Sequence, residues 1–197
     1  MARKGYHHGD LRAALIQAAA EAVEQGGPDA VSLRDLAKTL GVSTAAPYRH
    51  FADRRALLAE VAAQGFEQLA EDYGRAAARN PDPKVALRDT ARAYLGLAFR
   101  RPGLFRLMFD SDLMGPDAPA SLTGPAARSW EALHAAVAAI DPQADDATIK
   151  RRTITGWSTL HGFIALVSGG RLKGFMTEPL TEAELVEAIL DKTLIAD

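Results

Sequence analysis

Cysteine is absent from the 197 residues of the chain. The protein therefore has no disulfide and no thiolate ligand for a metal, which fits a reducing cytoplasm. Long apolar runs are absent too, because none approaches the ~20 residues that a membrane-spanning helix needs. Residues 1–10 are polar, unlike the start of a signal peptide. We therefore expect a soluble, cytoplasmic protein that has no membrane partner.

Sequence signatures of catalysis are missing as well. The 5 histidines, which include the adjacent pair His7-His8, show no HExxH or other metal-ligand spacing, and no GxSxG sequence occurs. Asp110 and Asp112 resemble an acid pair, but carboxylates in a loop after a helix are usually solvated. The glycine-rich run 169–174 lacks the Gly-Lys-Ser/Thr ending of a phosphate-binding loop. We predict that the chain is not an enzyme and that it binds neither a cofactor nor a metal.

The residues that dominate the chain favour helices. Alanine, leucine and charged residues are abundant, glycine and proline fall at segment ends, and alternating β-branched runs are absent. This composition predicts an all-α fold. Helical periodicity and stop signals predict about nine helices. Their ranges are 11–25, 33–40, 43–50, 53–79, 83–101, 104–109, 125–140, 146–168 and 182–195, with a loop over 110–124.

Residues 31–58 contain the pattern of a helix-turn-helix. Ser32 and Asp35 form a capping-box pattern at the start of a short helix that has one apolar stripe. Gly41 follows at once, and glycine most easily adopts the left-handed conformation that ends a helix. Ser43 can cap the next short helix. A short helix, a glycine turn and a second short helix form the geometry that places the second helix in the major groove of DNA.

Several residues of this region carry a family resemblance. Ala-Lys-Thr-Leu-Gly-Val-Ser at 37–43, Tyr-Arg-His-Phe at 48–51 and Asp-Arg-x-x-Leu at 53–57 closely resemble the signature of the tetracycline-repressor (TetR) family. Many fixed spacings, placed about thirty residues from the start of a chain of this length, make the resemblance specific. It covers residues 6–61 closely and the remainder in outline.

The resemblance implies two domains, a helix-turn-helix DNA-binding domain over residues 1–55 and a helical effector-binding and dimerisation domain over residues 56–197. Residues 1–55 hold 8 basic and 6 acidic side chains, so the remainder carries a net charge of −4 against −2 for the whole chain. A basic N-terminal domain joined to an acidic C-terminal domain is typical of a protein that binds DNA in one orientation. Arg3 and Lys4 form either an arm that touches phosphates or merely an unstructured terminus. The implied partners are a double-stranded DNA operator, a small-molecule effector and a second copy of the chain.

The resemblance also identifies the predicted helix 43–50 as the recognition helix. Its first residues, 44–46, carry small methyl groups that suit contact with thymine methyls at the base edges, and Tyr48 and His50 are expected at phosphates. Pro47 departs from the family's pattern and leaves open which of residues 44–46 contacts a base. A core position is the alternative for Tyr48. The predicted DNA contacts are Ser32, Ser43, Thr44, Ala45, Ala46, Tyr48, Arg49, His50 and Arg54.

Trp157, His161 and Gly162 resemble the Trp-His-Gly pattern that names one class of C-terminal domain in this family, and residues 102–109 support the assignment. In the family this domain binds an effector, and aromatic side chains with a few polar atoms suit an apolar or aromatic ligand. Ordinary core packing is the alternative for each candidate. The candidate pocket residues are Tyr94, Phe99, Phe105, Met108, Phe109, Trp130, Trp157 and His161.

The eighth and ninth predicted helices, 146–168 and 182–195, are expected to form a homodimer. The eighth is apolar on two sides, whereas a monomer needs only one buried side. The ninth offers Leu185, Ile189 and Leu190 as a matching surface. A four-helix bundle of these helices from two chains would present two recognition helices to a roughly palindromic operator, with half-sites about 34–36 Å apart.

The family's default is repression with ligand-triggered release. The resemblance implies that a bound ligand shifts the predicted helix 53–79 and changes the separation of the two DNA-binding heads, so that both half-sites can no longer be contacted at once. An activator is one alternative. A helical DNA-binding dimer without a small-molecule effector is the other.

Overall fold

A computed structural model describes the backbone of residues 11–194 and the side chains of residues 11–191. Over that range the chain forms nine α-helices and no strand, so the predicted all-α fold is confirmed. The pairs Arg3-Lys4 and His7-His8 and the predicted helix end at Ile195 lie outside the described residues. The helices are α1 (Leu11–Gly26), α2 (Leu33–Thr39), α3 (Arg54–Arg79), α4 (Pro83–Arg100), α5 (Pro102–Phe109), α6 (Ala120–Ala138), α7 (Asp146–Ser168), α8 (Gly174–Thr177) and α9 (Glu182–Leu194).

Most helix ends lie where the capping residues of the sequence place them. The Asp53 carboxylate accepts a hydrogen bond from the Ala56 N–H at 2.8 Å, at the start of α3. The Asp145 carboxylate accepts from the Thr148 N–H at 2.7 Å, at the start of α7. These side chains satisfy amides that have no partner inside the helix. The boundaries predicted for α3 and α7 therefore agree with the structure within one residue.

Helix α6 begins five residues before the predicted start at Pro125, inside the segment that was expected to be a loop. The N–H groups of Leu122 and Thr123 both donate to the Pro119 carbonyl, at 2.9 and 3.2 Å. The Leu122 side chain is fully buried. Pro125 deprives the helix of one N–H, whose acceptor would be the carbonyl of the exposed Ser121. Burial of Leu122 stabilises the extra turn, and water can reach the carbonyl that Pro125 leaves without a helical donor.

The described residues divide into two compact units. Unit 1 comprises residues 11–66 and 101–126, and unit 2 comprises residues 67–100 and 127–194. The division falls inside α3 and inside α6, so each of these helices contributes to both units. The predicted boundary between residues 55 and 56 concerns function and stays a prediction. No helix within residues 11–194 is both long and apolar enough to cross a membrane.

In unit 1, α1 and α5 are joined by a carboxylate and a close backbone approach. The Glu24 carboxylate accepts hydrogen bonds from the Gly103 and Leu104 N–H groups at 3.1 and 3.2 Å and from Arg101 Nε at 3.1 Å. It thereby caps the start of α5, where a negative charge also meets the positive end of the helix dipole. A Cβ atom on Gly103 would lie 2.4 Å from the Val23 carbonyl oxygen, so only glycine allows this approach.

In unit 2, an ionic cluster joins α4 to α9. Arg88 donates to the carboxylates of Glu187 and Asp191. Arg92 donates to both Glu187 oxygens at 3.1 Å. Leu190, on the same helix, is fully buried. The predicted ninth helix therefore packs against its own chain through Leu190, which corrects the expectation that Leu190 belongs to the surface offered to a second copy.

The pH dependence of stability should reveal this ionic cluster. Hydrogen bonds from Arg88 and then Arg92 lower the pKa of Glu187 below its ordinary value of 4.5. A carboxyl whose pKa is lower in the folded state stabilises the fold above that ordinary value, and the contribution is lost as the pH falls through the folded pKa. We expect Glu187→Gln to lower the melting temperature at pH 7 and to lower it progressively less below pH 4.5.

Melting curves between pH 3 and pH 7, at one protein concentration, measure this difference. Glu131→Gln is the matched control, because Glu131 is exposed on α6 and has no ion pair within the described residues. The control should follow the wild type at every pH. A wild-type advantage over Glu187→Gln that stays constant across the range would contradict the assignment.

Candidate functional site

Helix α2 begins and ends as the sequence predicts. The Ser32 hydroxyl accepts a hydrogen bond from the Asp35 N–H at 3.4 Å. At the other end Gly41 has φ +68°, a left-handed conformation that strains residues with a side chain. The Gly41 N–H donates to the Lys38 carbonyl at 3.1 Å and the Val42 N–H to the Ala37 carbonyl at 3.0 Å. These two bonds form a Schellman motif, which ends the helix and turns the chain sharply.

The predicted recognition helix 43–50 is not an α-helix. Residues 44–46 form turns, and a short 3-10 helix follows over Pro47–Arg49. An α-helix that begins after Ser43 would need the N–H of Pro47 for its first bond to the Ser43 carbonyl, and proline has none. The Ala46 N–H takes that carbonyl at 3.0 Å instead. The prediction of a helix from Ser43 to His50 is therefore wrong, and the cause is Pro47.

The turn and the 3-10 helix nevertheless expose most of the predicted DNA contacts. Phe51 and Pro47 are buried and anchor the segment to unit 1, with Arg12 lying 5.5 Å over the centre of the Phe51 ring. Tyr48 is 50% exposed, which removes the alternative that it is a core residue. The exposed residues of the predicted set are Ser43, Thr44, Ala45, Tyr48, Arg49 and His50, and the half-buried ones are Ser32, Ala46 and Arg54.

Arg54 has a structural role in addition to the predicted one. Its guanidinium donates to the Val31 carbonyl at 3.0 Å, to the Pro28 carbonyl and to the Asp29 carboxylate at 3.0 Å. These bonds tie the start of α3 to the turn that precedes α2. Contact of Arg54 with a phosphate stays a prediction, and loss of its side chain would also disturb this turn.

Two cations on the same part of unit 1 have no opposing charge. Arg34 and Arg49 are exposed, and within the described residues neither makes an ion pair. Lys38, by contrast, pairs with Asp35 at 3.0 Å, and Arg55 pairs with Asp112 at 3.3 Å. Because Arg34 and Arg49 are not neutralised locally, they can contribute to the attraction of a phosphate backbone.

A cavity of about 690 Å³ lies in unit 2. Residues of α4, α6 and α7 line it, together with Tyr73 of α3. Trp157 Nε1 donates to the Tyr94 hydroxyl oxygen at 2.9 Å, and that hydroxyl lies 2.8 Å from His161 Nδ1. An indole N–H only donates, so the Tyr94 oxygen is the acceptor in the bond from Trp157. This network fixes three of the predicted pocket residues at the wall of the cavity or next to it.

The structure does not bring all of the candidate pocket residues together. Tyr94 and Trp157 line the cavity, and His161 is bonded to Tyr94. Phe99 lies instead at a shallow groove between α4 and α9. Trp130 is half-buried beside His134, with ring centres 6.2 Å apart, and does not line the cavity.

The remaining three candidates belong to unit 1. Phe105 and Met108 are buried there. The ring centre of Phe109 lies 4.9 Å from that of Phe105 and 5.2 Å from that of Phe66. These side chains pack as a core, which was the alternative considered for each aromatic candidate. Aromatic character alone did not separate core residues from cavity residues.

Charged residues at the cavity were missed by reasoning from the sequence. Lys84, Arg151 and Arg152 line it, as does Asp141. In the sequence they resemble the ordinary solvated residues of helix starts, because nothing local shows that α4, α6 and α7 surround a common space. Tyr73 also lines the cavity, although it is not among the predicted pocket residues.

Two family models match the chain. The one described as bacterial regulatory proteins, tetR family, matches residues 15–61. The one described as tetracyclin repressor-like, C-terminal domain, matches residues 87–193, which is more than half of the chain. The assignment to the Trp-His-Gly class is consistent with the second match.

Two solved structures and one curated relative are similar to this chain. A protein of unknown function from Rhodococcus sp. RHA1 is 30% identical with a TM-score of 0.82, over 98% of this chain and 97% of that one. The TetR family transcriptional regulator PfmR from Thermus thermophilus is 23% identical with a TM-score of 0.64, over 91% and 96%, and shows the fold alone. The nucleoid occlusion factor SlmA from Marinobacter nauticus is 29% identical over 106 residues, 54% of each chain, so the match spans about half the length of that relative.

Proposed function

Because this chain belongs to the TetR family of transcriptional regulators, DNA-binding transcription factors that are not enzymes, we propose that it is a ligand-responsive repressor. In this proposal a homodimer binds a palindromic operator and releases it when a small effector enters the cavity of unit 2. The observation that carries the DNA-binding part is the exposed row from Ser43 to His50, held on a buried anchor at Pro47 and Phe51.

The exposed residues between Ser43 and His50 support two kinds of contact with the operator, one to base edges and one to phosphates. Thr44 and Ala45 are small and exposed in the turn that precedes the 3-10 helix, which suits contact with base edges and thymine methyls. Tyr48 and His50 carry polar groups that can donate to phosphate oxygens, and Arg49 adds a charge. Phosphate contacts set the position on the duplex, and the small residues carry the sequence preference.

The outward face of α7 supports a homodimer. From Ile154 to Ser168 the sequence of α7 contains no Asp, Glu, Lys or Arg. Ile154 and Leu166 are 51% and 42% exposed, and the exposed residues between them are small: Thr155, Ser158, Gly162 and Ala165. Small side chains between two larger apolar ones allow a second helix to approach closely and bury both. The proposed contact therefore joins α7 to its copy, with the half-buried Leu185 and Ile189 of α9 beside it.

Helix α3 gives the proposed effector response a physical route. Tyr73 lines the cavity, and Arg54 at the start of the same helix binds the turn before α2. Arg54 and Tyr73 are nineteen positions apart on this helix, which corresponds to about 28 Å along its axis. A ligand that displaces Tyr73 would shift α3, and the separation of the two DNA-binding heads would change. The dimer could then no longer contact both half-sites, so its affinity would fall.

Selection of duplexes from a random pool by the purified protein tests this proposal. We expect an enriched palindrome whose half-sites are centred about one helical turn apart. Failure to enrich any duplex at low ionic strength would refute the DNA-binding part. Enrichment of a single half-site without symmetry would refute the homodimer.

Tyr48→Ala should weaken binding to every duplex by about tenfold or more, since a hydrogen bond to a charged phosphate contributes about 1.5–3 kcal/mol. Tyr48 is half-exposed, so the melting temperature should not change. Fluorescence anisotropy with the selected operator and with an unrelated duplex measures the effect.

Met114→Ala is the control for this variant, because Met114 is an exposed apolar residue of unit 1, 41% exposed, outside the predicted contact set. Tyr48→Phe tests the hydroxyl alone and should lose nearly as much affinity as Tyr48→Ala. Wild-type affinity in Tyr48→Ala would remove Tyr48 from the interface.

A further inference from the structure

Charged side chains are unevenly distributed around the cavity of unit 2. The charged lining residues are Lys84, Asp141, Arg151 and Arg152. Asp141 is already paired with Arg152 at 3.1 Å. Lys84 and Arg151 are exposed, and neither has an ion-pair partner within the described residues. Two positive charges that form no ion pair within the described residues therefore lie where the cavity reaches the surface.

Asp145, the carboxylate whose pKa Arg151 affects, is already engaged in capping a helix. Asp145 caps α7 by accepting the Thr148 N–H at 2.7 Å, and hydrogen bonds from Thr148, with a smaller contribution from Arg151, lower the pKa of Asp145. The Arg151 guanidinium donates to the Thr148 hydroxyl at 2.7 Å, a neutral acceptor. A neutral partner thus holds Arg151 at the rim of the cavity. The paired N–H groups of its guanidinium remain suited to binding a carboxylate.

The buried lining residues of the cavity include four hydroxyls beside the apolar side chains. Those of Thr90 and Thr153 donate to carbonyls of their own helices, and that of Tyr94 bonds to Trp157 and His161. Tyr73 is 3% exposed and lines the cavity, and within the described residues its hydroxyl has no hydrogen-bond partner. Burial raises the pKa of Tyr73, so the hydroxyl stays protonated and can donate. A ligand that supplies an acceptor near Tyr73 would gain this hydrogen bond.

An apolar wall connects the charged rim to Tyr73. It is formed by Leu87, Ala91, Leu133, Val137, Trp157 and Leu160. Lys84 and Tyr94 mark the two ends of the wall on α4, and their ten-residue separation corresponds to about 15 Å along the helix. The two ends of the cavity thus differ in polarity, with positive charge at the surface and apolar side chains inside.

We infer that the effector is an amphipathic carboxylate, bound with its carboxylate at Lys84 and Arg151 and its alkyl or aryl body along the apolar wall. This inference rests on the proposed function, because it takes the cavity to be the effector site. A cationic ligand would be repelled by Lys84 and Arg151 at the rim. A neutral ligand would gain no ionic contact there.

Fluorescence of Trp157 can report binding directly. The chain has 2 tryptophans, and Trp130→Phe leaves Trp157, which lines the cavity, as the only one. The probes are two matched series: nonanoate, nonan-1-ol and nonylamine, and 4-phenylbutyrate, 4-phenylbutan-1-ol and 4-phenylbutylamine. We expect the carboxylate of at least one series to bind about tenfold or more tightly than its alcohol, and the amine to bind most weakly.

Two double variants distinguish a specific role of Lys84 and Arg151 from an effect of the protein's net charge. Lys84→Met/Arg151→Met should lose the carboxylate preference and still bind the alcohol. Lys150→Met/Arg171→Met removes the same charge from exposed residues of unit 2 that do not line the cavity, and this control should keep the preference. Melting temperatures with and without each probe provide a second readout of binding.

Three results would overturn the inference: equal binding within both series, tightest binding of an amine, or a carboxylate preference that survives in Lys84→Met/Arg151→Met. Absence of binding by all six probes would also overturn it. Alcohols that bind as well as carboxylates and release the operator would leave the proposed effector response standing and refute only the carboxylate. The affinity of Tyr48→Ala for the operator tests DNA binding separately.

Discussion

Ile154→Asp is expected to convert the protein from a dimer to a monomer and to lower its operator affinity by about 100-fold or more. Ile154 is 51% exposed at one end of the charge-free face of α7. In the proposed dimer a carboxylate at this position would be buried against the same helix of the second copy, without a counter-charge. A monomer contacts one half-site only and loses the gain from a second, linked contact, which is worth two or more orders of magnitude.

Sedimentation equilibrium and operator titration measure the two effects in one preparation. The mass should fall from twice 21.0 kDa to 21.0 kDa, and helical content should be retained. Val85→Asp is the matched control, since Val85 is a β-branched helical residue of unit 2 that is 38% exposed and lies outside the α7 face. A dimeric Ile154→Asp variant with wild-type affinity would show that the contact between copies lies elsewhere.

Gly103→Ala is expected to lower the free energy of unfolding by about 2 kcal/mol, within the range for overpacked sites. The added Cβ would lie 2.4 Å from the Val23 carbonyl oxygen and 2.8 Å from Glu24 Cα, both backbone atoms of α1. Helix α5 would have to move away from α1, and this movement would stretch the hydrogen bonds from Gly103 and Leu104 to the Glu24 carboxylate. For a chain of this length the melting temperature should fall by about 4–8 °C.

Thermal and urea unfolding at a fixed protein concentration measure the loss. Gly74→Ala is the matched control, because Gly74 is exposed in the interior of α3 and an added Cβ would have nothing within 4 Å. Alanine should stabilise α3 there by up to about 1 kcal/mol, since it has the higher helix propensity. The two substitutions are chemically identical and should have opposite signs. Equal stability of Gly103→Ala and the wild type would show that α1 and α5 are not held as closely as described.

Local patterns predicted most of the helical framework correctly. Ser32, Gly41 and Asp145 act within a few residues of their own position, on amides and carbonyls that every helix end leaves unpaired. A helix and its cap can therefore be predicted together from a short stretch of sequence. The helix-turn-helix signature is local in the same sense, which is why its residues identify the family.

Pro47 shows where local reasoning was incomplete. Its departure from the family's pattern predicts only that the base contact among residues 44–46 stays open. Pro47 occupies the first position that must donate inside the helix, to the Ser43 carbonyl, so the chain forms turns and a 3-10 helix instead. The prediction that Tyr48 is exposed was nevertheless correct, because the buried Phe51 and Pro47 anchor the segment and leave Tyr48 at the surface.

The order of most helices and the caps at their ends follow from residues that act on near neighbours, so the chain specified them before any packing was known. The cavity does not follow in this way, because Tyr73, Lys84, Val137 and Arg151 lie on four helices and meet only after those helices pack. Tertiary packing likewise assigned Phe105 and Met108 to a core and Leu190 to the interior of its own chain. Burial depends on what lies opposite a side chain, and periodicity shows only which face the side chain is on.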